Sequence, residues 1–100
     1  MIKTELVKIH LLFTGHVQNV GFRHFVKSSA KKLNISGWVR NLSSGQVEIV
    51  AVGKNQQISQ FVNKIQTGTI LSEIEKTSIL SKEVISIDPF DSKFEKRETI

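Results

Sequence analysis

The stretch Phe13-Thr14-Gly15-His16-Val17-Gln18-Asn19-Val20-Gly21-Phe22-Arg23 decides how this chain folds. An alternating run enters it and a helical pattern leaves it. Upstream, Val7, Ile9, Leu11 and Phe13 alternate with Lys8, His10, Leu12 and Thr14. A period of two marks a strand with one buried face. Downstream, Phe22, Phe25, Val26, Ala30 and Leu33 recur at steps of three and four, the stripe of an amphipathic helix. The link between them has a glycine near each end, Gly15 and Gly21. Glycine reaches backbone angles closed to other residues, so such a loop can turn successive N–H groups inward. Inward N–H groups form an anion-binding concavity, and the start of a helix adds partial positive charge. Arg23 follows in the first helical turn, and its guanidinium is a fixed fork of donors suited to phosphate. Gly15, His16, Val17, Gln18, Asn19, Val20, Gly21, Phe22 and Arg23 together therefore read as a phosphate cradle. The spacing alone equally fits a plain strand-to-helix turn with a solvated arginine. It lacks the Gly-Lys-Ser/Thr close of a Walker A loop and the G-x-G start of a dinucleotide fingerprint.

Outward from that stretch the pattern continues. Lys31 and Lys32 suit the negative end of the helix dipole, and Asn34 suits a left-handed stop. Residues 35–41 read as a second strand containing Trp38 and Val39. Leu42, Ser43, Ser44 and Gly45 are turn chemistry of hairpin length. Residues 46–52 give a third strand, with Val47, Ile49 and Ala51 on one face and Gly53 at its end. Ile58, Phe61, Val62 and Ile65 form a second helical stripe, ended near Thr67 and Gly68. Residues 74–80 are a weakly patterned fourth strand. Residues 90–97, after Pro89, are a short edge strand. The order strand, helix, strand, strand, helix, strand predicts an α+β, ferredoxin-like βαββαβ sandwich. Its antiparallel sheet of four to five strands carries both helices on one face. Strands one and three should be central.

At 100 residues the chain reads as one domain, residues 1–100, large enough for a core of its own. It contains 39% hydrophobic and 23% charged residues, the balance of a soluble globular protein. The lack of cysteine excludes disulfides, thiolate metal sites and a thiol nucleophile. Lys3, Lys8 and His10 interrupt the apolar residues at the start, so no signal-peptide core or membrane span is expected, and a cytoplasmic location is. The net charge of +5 favours anionic partners, although the lysines are scattered as a solubilising surface would have them.

Gly15-His16-Val17-Gln18-Asn19-Val20-Gly21-Phe22-Arg23, followed by Gly37-Trp38-Val39-Arg40-Asn41, resembles the signature of the acylphosphatase family. That signature runs G-x-V-Q-G-V-x-[FY]-R and then G-[WY]-V-x-N. The resemblance covers about residues 7–70 and includes the ferredoxin-like order. It implies hydrolysis of a small-molecule acyl phosphate to a carboxylate and inorganic phosphate, with no metal and no organic cofactor. It also implies that Arg23 and the loop N–H groups bind the phosphoryl group, and that Asn41 positions the attacking water. A monomer with no nucleic-acid or membrane partner is expected. Three positions depart from the family pattern. His16 stands where arginine is common. Asn19 stands where glycine is usual, and asparagine is among the residues that best tolerate positive φ. Lys96 takes an apolar position of the last strand.

Remaining candidates carry less. His10, His16 and His24 lack a metal-ligand spacing. His10 belongs to the polar face of strand one, His24 to the helix surface, and His16 either tunes the cradle or is a loop residue. Gln18 suits bracing of the loop better than chemistry. Trp38 suits packing. Glu73 and Glu75 share a strand face and read as solvated. The rival from another class is an RRM-type RNA-binding module, which has this element order, and residues 21–26 mimic part of its RNP1 pattern. That pattern belongs on strand three, where this chain has no aromatic for base stacking. A non-catalytic relative of the acylphosphatases also remains open at this level.

Overall fold

The computed structural model describes residues 5–100. Lys3, one of the residues taken above to interrupt an N-terminal apolar run, lies outside the described residues. The elements are β1 (Leu6–His16), α1 (Phe22–Lys32), β2 (Ser36–Asn41), β3 (Val47–Gly53), α2 (Asn55–Ile65), β4 (Glu73–Ile85) and β5 (Phe94–Arg97). They form a five-stranded sheet in the order β4-β1-β3-β2-β5. β1 lies between β4 and β3, and β3 between β1 and β2, so both expected central strands are internal.

The sequence patterns explain the layers. Val7, Ile9, Leu11 and Phe13 of β1 are buried, as are Val47, Ile49 and Ala51 of β3. Facing them are Phe22, Val26 and Ala30 of α1 and Ile58, Phe61 and Ile65 of α2. These residues form one apolar cluster, which places both helices over the same face of the sheet. Phe13 and Phe22 meet with centroids 5.2 Å apart, so the strand and the helix flanking the loop are clamped ring to ring. α1 stops as its sequence suggests. Asn34 has φ 56°, and Ile35 N–H donates to the Ala30 carbonyl at 2.8 Å, closing the helix with a left-handed residue.

Three expectations need correction. The sheet is mixed, because β5 runs parallel to β2 with Gly37 opposite Phe94 and Arg40 opposite Arg97. A four-residue strand cannot state its direction in sequence. The chain reaches it through the 86–93 segment, which returns it to the edge beyond β2. β4 extends to Ile85, well past residue 80. Its outer half has Ile79, Leu80 and Val84 exposed, so no inside–outside alternation marks it. Finally, Gly15 and His16 belong to β1 and pair with Ile74 and Glu73 of β4. A side chain at Gly15, which has φ 130°, would overlap the Glu73 carbonyl. Close approach of two strands therefore requires this glycine.

Candidate active site

The loop between β1 and α1 is fixed from both sides. Val17 and Val20 are buried in the core, and Phe22 follows them inward. Asn19 takes φ 60°, the left-handed angle its amide side chain tolerates. Gln18 reaches away from the loop, and its Nε2 donates to the carbonyls of Leu42 at 2.7 Å and Gln46 at 2.9 Å. The loop is thereby tied to the β2–β3 turn, the bracing role its sequence suggested. On the other flank, Thr69 Oγ1 donates to the Val20 carbonyl at 2.9 Å. A loop held by two core valines and three side-chain hydrogen bonds is built to keep its shape without a ligand.

Gly21 ends the loop at φ 76° and offers no side chain to cap α1. The first turn of α1 also contains no acidic residue. The positive end of the helix dipole is therefore uncompensated by the chain itself. Here lies a cavity of about 130 Å³ lined by Val17, Asn19, Gly21, Phe22, Arg23, His24, Asn41 and Lys96. Arg23 is half-buried, and its Nη1 donates to the Arg97 carbonyl at a long 3.3 Å. That leaves most of its fork of donors available.

Asn41 closes the cavity from the end of β2. Strand alternation puts it on the helix side with Val39, whereas Trp38 and Arg40 face the opposite way. Asn41 is 7% exposed, and its Oδ1 is the one buried side-chain polar atom without a hydrogen-bond partner among the described residues. Leaving such an acceptor unpaired costs roughly 1–3 kcal/mol. An unpaired acceptor beside an arginine and a helix start is a site prepared for a donor, as a water molecule would be.

The structure thus brings together Val17, Asn19, Gly21, Phe22, Arg23 and Asn41 from the sequence-derived set. Gly15, His16, Gln18 and Val20 do not line the cavity. Gly15 and His16 pair with β4, Gln18 braces, and Val20 anchors. Two lining residues were missed as site residues. Lys96 was noticed only as a departure in the last strand, and His24 only as a helix-surface residue. Period-two counting forward from Phe94 puts Lys96 on the helix side. Among the described residues no group of three His, Cys, Asp or Glu side chains comes together as a metal site requires. No helix among them is long and apolar enough to cross a membrane.

Fold and site together define a ferredoxin-like α+β protein whose first crossover holds an anion-receptive cavity. The acylphosphatase family model matches residues 9–96. The chain is 38% identical over 85 residues to an acylphosphatase of Bacillus licheniformis, covering 85% of this chain and 92% of the relative. The crystal structure of acylphosphatase from Bacillus subtilis superposes with a TM-score of 0.84 at 31% identity, covering 91% of this chain and 98% of that one. An acylphosphatase structure from Coxiella burnetii gives 0.78 at 32% identity, with 92% and 93% covered. The chain belongs to the acylphosphatase family.

Proposed function

We propose that this chain hydrolyses acyl phosphates in the cavity between the β1–α1 loop and the end of β2, with Arg23 and the loop amides holding the phosphoryl group and Asn41 positioning the water. Acylphosphatase activity itself follows from family membership; the residue roles are our reading. The observation that carries them is the unpartnered Asn41 Oδ1 in the same cavity as Arg23.

The chemistry needs little else. The leaving group is a carboxylate whose acid has a pKa near roughly 4, so it departs unprotonated at neutral pH. Phosphoryl transfer depends mainly on positioning and charge stabilisation. Arg23 and the N-terminal amides of α1 neutralise charge on the equatorial phosphoryl oxygens. Asn41 Oδ1 accepts a proton-bearing edge of the water and holds it for attack on phosphorus. The water oxygen forms a bond to phosphorus as the phosphorus–acyl oxygen bond breaks, and the electron pair leaves on the carboxylate. A phosphoryl oxygen of the substrate takes the water's proton. No thiol, carboxylate or metal is called on.

The proposal includes a single catalytic domain acting as a monomer in the cytoplasm, on a small molecule and without nucleic acid. Phosphate release from benzoyl phosphate in the presence of EDTA tests it. Turnover that persists with EDTA and is abolished in Arg23→Ala is the expected result. Turnover that needs an added divalent cation, or that survives Arg23→Ala, contradicts it. Retention of single-stranded RNA by the protein would contradict the partner assignment.

A further inference from the structure

We propose that Lys96 selects substrates: with His24, Lys27 and Lys31 it extends the phosphoryl cavity into a cationic hollow that receives an acyl group carrying its own negative charge. This rests on the reading of the Arg23 cavity as the phosphoryl site and specifies what occupies the space beside it.

The geometry begins with β5. Phe94 points into the core, and alternation sends Lys96 to the same side of the sheet, toward α1. Lys96 lines the cavity of Arg23 and Asn41. It also lines a neighbouring hollow of about 220 Å³ formed with His24, Lys27, Ser28 and Lys31. His24 and Lys96 are common to both, so the two spaces adjoin at these residues. His24, Lys27 and Lys31 follow one another at steps of three and four along α1, which brings their side chains onto one face.

Charge in this hollow is one-sided. Among the described residues no carboxylate lines either space. Glu95 lines a separate hollow together with Lys27 and Lys31. The ion pairs found among the described residues both belong to Glu48, on the other side of the sheet, so none satisfies Lys96. The phosphoryl cavity is the smaller of the two spaces, and an acyl group bonded to the phosphoryl must extend out of it. A neutral acyl group entering the second hollow meets like charges it cannot relieve. A carboxylate or phosphate on that group meets three cations at once.

The test compares benzoyl phosphate with 4-carboxybenzoyl phosphate and 4-phosphonobenzoyl phosphate at low ionic strength. The ratio of kcat/KM for an anionic substrate to that for benzoyl phosphate should be about tenfold in the wild type, as two or three exposed ion pairs together supply. It should reside mainly in KM and shrink with added salt. Lys96→Met should bring the ratio close to one, the Lys27→Met/Lys31→Met double variant should lower it, and Lys96→Arg should keep it. Preference for the carboxy substrate alone supports a carboxylate-bearing acyl group, and preference for the phosphono substrate alone supports a phosphate-bearing one. A wild-type ratio near one for both, or a ratio unmoved by Lys96→Met, overturns the inference while the hydrolase reading stands. Failure of the wild type on all three substrates overturns the hydrolase reading, and this inference with it.

Discussion

Arg40 and Arg23 occupy opposite sides of one sheet and are used in opposite ways. On the open face, Arg40 Nε donates to Glu48 Oε1 at 2.6 Å while its guanidinium lies 4.6 Å from the Trp38 ring. Glu48 also bonds His10 Nε2 at 2.7 Å, and Arg97 stacks on Trp38 at 4.8 Å. His10, Arg40 and Arg97 each already have a carboxylate or an aromatic face there. On the helix side, Arg23 has one long bond to a carbonyl, and the nearby Asn41 amide has an unmatched oxygen. On our reading the same residue type is structural where a carboxylate and an aromatic face match its charge, and functional where neither does. The amides repeat the contrast. Gln18 gives both Nε2 donors to carbonyls, whereas Asn41 holds an acceptor in reserve.

Substitutions on the two sides should therefore separate activity from stability. Arg23→Ala should have the largest effect, lowering kcat/KM on benzoyl phosphate by at least the roughly 10²–10³ of a deleted transition-state donor. Arg23→Lys should rescue little, because a point charge cannot reproduce the fork. Thermal melts of both variants should stay near wild type. Loss of folding in Arg23→Ala would erase the contrast with Arg40. Asn41→Ala comes next. It should lower kcat by about 10–100-fold through lost positioning. Phosphate inhibition should be largely retained, and an equal loss of inhibitor binding would make Asn41 a phosphate ligand instead.

On the open face the expected change is in stability. Burial would raise the Glu48 carboxyl pKa, but hydrogen bonds from His10 and Arg40, and the charges of both, hold it below its ordinary value. A carboxylate with a lowered pKa stabilises the fold above its unfolded pKa and loses that contribution as pH falls through the folded one. Glu48→Gln should therefore cost about 1–3 kcal/mol at neutral pH. The gap between variant and wild type in urea melts should narrow below roughly pH 4. Activity at neutral pH should stay close to wild type. A gap independent of pH would show that the pairing is not what Glu48 contributes. Arg40→Ala should have the smallest effect, a modest loss of stability with turnover retained. A collapse of turnover there would move the functional side of the sheet.

Much of this arrangement is legible in the sequence because burial imposes a period. β1, β3, α1 and α2 each have one face against the core, and their apolar residues mark it. The site was legible less evenly. Arg23 drew notice as a guanidinium after two glycines at a helix start, a spacing that a plain turn also fits, and the family motif singled it out. Asn41 stood out through its family motif alone, because its value lies in strand alternation and in what fails to bond it. Lys96 was read as an anomaly of an apolar strand. At the edge, β5 has one pairing partner and four residues, too few to show direction or facing. Val20 was counted with the cradle but anchors it from the core, and Val17 both lines the cavity and packs into that core, which is assembled from distant elements.

The central claim is that the β1–α1 loop and Arg23 grip a phosphoryl dianion. Titration of the ¹⁵N-labelled protein with inorganic phosphate, followed through its backbone amides and arginine side chains, tests this most directly. Shifts should concentrate at residues 17–24 and at the Arg23 guanidinium, and should vanish in Arg23→Ala while Arg40→Ala keeps them. Shifts centred on Arg40, Arg97 and Trp38, or a loop indifferent to phosphate, would contradict it.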